Sequence, residues 1–183
     1  MASVDTDLAN ELSHHDEYFT ARELVQYLER HHAVEGPGVP RDLVEAYAEE
    51  LDYDSERFDT SLEDRLTDAR SWQPGDRIYR IGDNVSIYPA SWHERLADTT
   101  DLADYVEVML ESVRAPEGVE IDRGSLGVTQ DDLLTAVEIV GEMDRSDSRR
   151  LLKNQRLEGS LVLYAFQNPE EIVRLPEETA TDV

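Results

Sequence analysis

The chain has no cysteine among its 183 residues, which excludes a disulfide framework and any thiolate metal site. Of its 17 basic residues only Lys153 is lysine. No apolar run approaches the roughly 18 residues of a membrane helix, so no membrane partner is expected. The opening Met1-Ala2-Ser3-Val4-Asp5-Thr6-Asp7 is acidic and lacks an apolar signal core, which points to a cytoplasmic protein. A glycine-rich phosphate loop, a dinucleotide fingerprint and an H-E-x-x-H pair are also missing.

Acid is what the chain has in plenty. It holds 42 Asp and Glu against 17 Lys and Arg, a formal charge of −25. The acids run along the whole chain and are interrupted by periodic apolar stretches, unlike a disordered acidic tail. An acidic, lysine-poor composition of this kind resembles the cytosolic proteins of salt-in halophilic archaea. The resemblance implies a surface built for concentrated potassium salt, which repels itself when salt is low. Net negative charge ordinarily counts against binding DNA, because phosphate contacts supply most non-specific affinity. In molar salt, however, the Debye length falls to about 3 Å, and local contacts decide.

Residues 1–19 show weak patterning, with Leu8, Leu12 and Tyr18 able to seed only a short helix, and are expected to be flexible. Thr20-Ala21-Arg22-Glu23 is a capping box opening a helix with Leu24, Tyr27 and Leu28 on one face. Gly36-Pro37-Gly38 ends it, and Pro40 suits the start of a second helix burying Leu43, Val44, Tyr47, Ala48 and Leu51. A polar connection, Asp52 to Thr60, then leads to a third helix, Ser61 to Trp72, with Leu62, Leu66 and Ala69 inward. Two β-rich runs flank Gly82-Asp83-Asn84. A three-residue loop pairing Ile81 with Val85 and Tyr79 with Ile87 gives the more coherent apolar face of the two registers available.

The same order then recurs. Trp92 and Leu96 mark the junction, Ala90 to Thr100, as packed or helical. Asp101 caps a helix with Leu102, Tyr105, Val106, Met109, Leu110 and Val113 inward. Pro116-Glu117-Gly118 breaks it, and the connection up to Val128 has room for a short strand at Val119-Glu120-Ile121. Thr129 caps a helix with Leu133, Leu134, Val137 and Val140, and Gly141-Glu142-Met143-Asp144 is a tight turn. A basic helix follows, ending at Gly159. Leu161 to Phe166 and Glu171 to Leu175 read as a second hairpin turning at Asn168-Pro169.

The basic helix carries the most information. From Arg145 to Leu157 it holds five cations against one acid, Asp147. At about 100° per residue, Arg145, Arg149, Lys153 and Arg156 fall within roughly 80° of one another. Ser148, Leu151, Leu152 and Gln155 fall elsewhere. Three helices followed by a two-stranded wing resemble the winged helix-turn-helix superfamily, and the four-residue turn before the basic helix suits a helix-turn-helix unit. The pair of units also resembles tandem winged-helix proteins of unknown function from halophilic archaea. The first half departs from the pattern through its long Asp52–Thr60 connection and an acidic third helix, with Arg77 and Arg80 at its hairpin the one contrary hint.

The resemblance implies that the third helix of the second half enters a DNA major groove and that its hairpin touches the backbone. Arg145, Arg149, Arg150, Lys153, Asn154 and Arg156 are then the candidate nucleic-acid contacts. Arginine suits guanine, and Asn154 suits adenine. The competing explanation is that the cations simply pair with the abundant acids, within the chain or across a second subunit.

Other signals carry less. The doublets His14-His15 and His31-His32 point their rings about 100° apart on a helix, and with lone His93 they make a poor zinc set. Carboxylate pairs such as Glu49-Glu50 are uninformative in so acidic a chain. Ser125, between Gly124 and Gly127, fits no nucleophile elbow. No metal, no cofactor and no enzymatic activity are expected.

The sequence therefore predicts an α+β, mostly helical protein of two tandem winged-helix-like units, each of three helices and a β-hairpin. Residues 20–96 form the first unit, residues 97–176 the second with the basic helix, and residues 177–183 a disordered acidic tail. The expected function is double-stranded DNA binding as a transcriptional regulator, with a homodimer suited to paired half-sites. The alternative is a protein–protein interaction module without nucleic-acid activity.

Overall fold

The computed structural model describes residues 3–14, 19–32, 34–112 and 127–176. The chain divides into two compact units, Met1–Glu94 and Arg95–Val183. It is α+β and mostly helical, with eight helices and two small sheets among the described residues. Among the described residues, no helix is long and apolar enough to cross a membrane.

The first unit opens with α1 (Thr6–Ser13). The Asp5 carboxylate accepts the amides of Asp7 and Leu8 at 2.9 and 3.2 Å, and the Asp5 amide donates to the Tyr47 hydroxyl at 2.8 Å. With Ala9 and Leu12 buried, this stretch has a cap and an inner face, the short helix that Leu8 and Leu12 were able to seed. The capping box at Thr20 is present at the start of α2 (Ala21–His31): Glu23 donates its amide to Thr20 Oγ1, and Thr20 donates its amide to Glu23 Oε2. Two-residue strand β1 (Val39–Pro40) leads straight into α3 (Arg41–Glu50).

The third helix of this unit is α4 (Ser55–Arg65), not Ser61 to Trp72. Asp54 caps it, accepting the Arg57 amide at 2.9 Å, and Phe58 and Leu62 bury its inner stripe. The expected long Asp52–Thr60 connection is thus corrected to a short turn. Leu66 and Ala69 leave the helix: β2 (Leu66–Thr67) pairs in parallel with β3 (Ile78–Ile81). Trp72 closes no helix but stacks on Trp92 with ring centroids 5.1 Å apart.

Strands β3 and β4 (Asn84–Ser86) form the expected hairpin, but in the two-residue register rather than the expected three-residue one. Ile81 faces Asn84, Arg80 faces Val85 and Tyr79 faces Ser86. Gly82 has φ 63°, and a glycine with positive φ at the first turn position favours the two-residue loop. The sheet runs β1-β4-β3-β2, with β1 antiparallel to β4. Leu24, Val25, Leu28, Val39, Val44 and Leu62 are wholly buried, so α2, α3, α4 and the sheet share one core. Helix α5 (Ala90–Leu96) follows and buries Trp92 and Leu96, so the junction is helical as expected.

In the second unit, α6 (Leu102–Glu111) begins at the Asp101 cap and buries Leu102, Tyr105 and Val106. The breaker at Pro116-Glu117-Gly118 and the strand considered at Val119–Ile121 lie outside the described residues, as do Val113 and the tail 177–183. Strand β5 (Val128–Thr129) runs into α7 (Gln130–Val140), whose Asp132 amide donates to Thr129 Oγ1 at 3.1 Å. After the Gly141–Asp144 turn comes α8 (Arg145–Glu158), ending at Gly159.

The second hairpin is reduced from the expected one. Strand β6 (Ile172–Val173) pairs with β5, and between the two expected arms only an isolated Val162–Arg174 bridge forms. Backbone bonds elsewhere account for this. Gln130 donates its amide to Glu171 O at 2.7 Å and Asp131 donates to Pro169 O at 3.0 Å, so the loop lies against the first turn of α7.

Candidate nucleic-acid interface

Helix α8 is fixed from three sides. At its start the Asp144 carboxylate accepts the Ser146 amide at 2.7 Å and the Ser146 hydroxyl, and these bonds hold its pKa below the usual range. On its inner face Leu152 and Ser148 are fully buried, and the Ser148 hydroxyl donates to Asp144 O at 2.9 Å. Further along, Gln155 accepts the Leu102 amide and donates to Thr100 O, both at 2.9 Å. That amide is one of the donors a helix N-terminus leaves open, so Gln155 caps α6 while anchoring α8.

The six expected contact residues separate into distinct groups. Arg145 does not face solvent as expected. Its guanidinium donates to Glu138 Oε2 at 2.7 Å, to Thr135 Oγ1 at 3.3 Å and to Asp131 Oδ1. Its side chain is 22% exposed and that of Glu138 9%. Burial opposes its charge, but the bonds and attraction of Glu138 and Asp131 outweigh that and raise its pKa. Arg145 thus ties α7 to α8 and stands apart from the exposed members of the stripe.

Arg150 pairs with Asp147 at 2.7 Å, but both are largely exposed, and an exposed i,i+3 pair contributes little. Arg149, Lys153, Asn154 and Arg156 are all exposed. Arg149, Lys153 and Arg156 have no carboxylate within 4 Å among the described residues. They fall within roughly 60° on the helix wheel, so the stripe persists without its first member. Next to Arg149 lies a cleft of about 390 Å³, bounded by Gln130, Asp131, Phe166 and Pro169.

Among its described residues the first unit offers no equivalent stripe. On α4, Glu56, Asp59, Glu63 and Asp64 outnumber Arg57 and Arg65. Arg80, one of two cations at its hairpin, pairs with Glu63 at 3.2 Å and Asp68 at 3.3 Å. Arg77 donates to Asp64 O. Its open cleft of about 750 Å³ carries mixed charges, among them the Arg65–Asp76 pair at 3.5 Å. Among the described residues, no three His, Asp or Glu side chains gather as metal ligands would.

Sequence reasoning missed a buried polar cluster in the first unit. The Ser86 hydroxyl lies 3.1 Å from His93 Nε2 and accepts the Tyr88 amide at 3.0 Å, and Glu29 Oε2 accepts the Ile87 amide at 2.9 Å. The three side chains come from α2, β4 and α5, so no local motif announces them.

Comparison with protein-family models, curated proteins and solved structures found no match.

Proposed function

We propose that each unit is winged-helix-like and that the second binds double-stranded DNA through α8, as a transcriptional regulator. The observation that carries this reading is the set Arg149, Lys153 and Arg156, on one exposed face and without a carboxylate partner among the described residues of a chain with 42 acids. Cations that served only the fold would sit beside carboxylates, as Arg145 does. Arginine and lysine in such a stripe suit phosphate and base edges.

The order of elements supports the same reading. Among the described residues both units run helix, short strand, helix, helix and then strand, and in each the short strand pairs with the last strand of its unit, β4 after β2 and β3 in the first and β6 in the second. In winged-helix proteins the last of those helices enters the major groove. The rival reading, a protein-docking module, draws on Leu157 and Tyr164, which are 75% and 76% exposed.

The deciding experiment is binding to a random-sequence duplex in concentrated KCl, for the native chain and for Arg149→Glu/Lys153→Glu. Native binding that weakens with salt and is weaker still in the variant is expected, and the variant's slope of log affinity against log salt should be smaller by about 2 for two lost phosphate contacts. Absence of any duplex affinity in the native chain overturns the proposal.

A further inference from the structure

The hydrogen-bond inventory around Ser86 contains a conflict. Its hydroxyl has a single proton. The oxygen already accepts the Tyr88 amide at 3.0 Å, and His93 Nε2 stands 3.1 Å away. The Glu29 carboxyl is the second claimant: Ser86 and the Ile87 amide both favour its ionised form. Glu29 shows solvent part of its surface, but Oε1 is out of contact with water and has no hydrogen-bond partner. Ser86 is wholly buried and His93 nearly so.

We infer that Glu29, Ser86 and His93 form a proton-operated switch inside the first unit, in which ionisation of Glu29 reverses the Ser86–His93 hydrogen bond. With Glu29 protonated, the Ser86 hydroxyl donates to His93 Nε2, and the imidazole carries its proton on Nδ1. When Glu29 releases its proton to solvent, the carboxylate draws the hydroxyl to itself. The Ser86 oxygen can then only accept from His93, so the neutral imidazole relocates its proton from Nδ1 to Nε2. One proton leaves the protein, and no other charge changes.

The surroundings favour this behaviour. Beside Glu29 on α2 stands Arg22, Tyr79 of β3 is the register partner of Ser86, Tyr88 donates its amide to the Ser86 hydroxyl, and His93 comes from α5. Burial is the largest influence on Glu29 and lifts its pKa to about 7, with Arg22 the one charge that acts against it. Burial alone lowers His93 to about 4. The carboxyl therefore titrates near neutrality, while the imidazole stays uncharged through the same range. His93 lies in α5, so the reversal acts on the helix that carries the chain out of the first unit.

The test is ¹⁵N NMR of the histidine side chains in the full chain, between pH 5 and 9 at the salt concentration that keeps it folded. His93 should change from the Nδ1–H to the Nε2–H tautomer with a midpoint near pH 7, without passing through imidazolium. In Glu29→Gln the tautomer should stay constant over the same range, and in Ser86→Ala its dependence on Glu29 should vanish. A constant His93 tautomer in the native chain overturns the inference. So does a change that persists in Glu29→Gln, or, should that variant not fold, in Ser86→Ala. The readout requires no DNA, so it stands or falls apart from the function proposed for α8.

Discussion

Arg145 Nη1 lies 2.7 Å from Glu138 Oε2, and that contact decides which cations of α8 remain for a ligand. Glu138 is the most buried acid in any described ion pair of the second unit, at 9%. Removing Arg145 takes the guanidinium away from a nearly buried carboxylate, which costs the attraction without sparing the burial. Arg145→Met should therefore destabilise the chain by about 2 kcal/mol. Arg145→Met/Glu138→Gln should recover part of that loss, because a neutral amide costs less to bury than a carboxylate that has lost its guanidinium. Denaturant midpoints of the native chain and the two variants measure both effects. Duplex affinity of Arg145→Met, corrected for folded fraction, should stay within a few-fold of native.

The pH dependence of stability carries two opposite signs. Glu29 has its pKa raised by burial from an ordinary 4.5 to about 7. Its contribution to stability is complete below pH 4.5 and is lost as pH rises through 7. His93 is lowered by burial from 6.5 to about 4. Its contribution is present above pH 6.5 and is lost as pH falls through 4. Between about pH 4.5 and 6.5 the two slopes oppose each other. Glu29→Gln should uncover the histidine slope, losing roughly 1 kcal/mol more than the native chain per pH unit of acidification in that window. His93→Gln should uncover the opposite slope. Stabilities measured at matched salt across pH 4 to 8 check both, and parallel curves for all three proteins would refute the assignment.

Gln155 joins α8 to the start of α6 with two bonds of 2.9 Å. Truncation to Ala leaves the Leu102 amide without that acceptor, a loss comparable to that of a helix cap, about 1 kcal/mol. Gln155→Glu keeps an acceptor for Leu102 but sets a carboxylate against Thr100 O, so it should recover only part of the loss. Hydrogen exchange at Leu102, faster in Gln155→Ala than at Ala103, which donates to Asp101 instead, locates the effect.

The second unit was the more legible in the sequence, and the reason is local. Asp101, Thr129 and Asp144 each cap the helix that periodicity also starts there. Helix α4 escaped because its first turns hold a single apolar residue, Phe58, in a polar run, and the signal lies in Asp54 and the i,i+4 spacing of Phe58 and Leu62. Strands β1 and β5 span two residues each and pair with Val85 and Val173, far along the chain. No local pattern encodes such a pairing. The basic stripe was visible as a wheel of α8, but the wheel describes one helix, and the acids that claim Arg145 stand on α7. The Glu29–Ser86–His93 cluster was illegible for the same reason: three elements meet only in the fold.

Two neighbouring glycines offer a paired test of the first unit's backbone. Gly36 and Gly38 both have positive φ, 82° and 76°, which costs any L side chain about 1 kcal/mol. They differ in what a Cβ would meet. At Gly36 nothing lies within 4 Å, whereas at Gly38 the carbonyl oxygen of Val85 stands 2.7 Å away. That carbonyl belongs to β4, and Val85 is the residue Val39 faces in the β1–β4 pairing. A methyl group there forces the two strands apart next to the wholly buried Val39. Gly36→Ala should cost about 1 kcal/mol. Gly38→Ala should cost roughly 2 kcal/mol more, in line with forced overpacking. Thermal midpoints of the two variants against the native chain decide the matter, and equal losses would mean that β1 does not pass against Val85 as described.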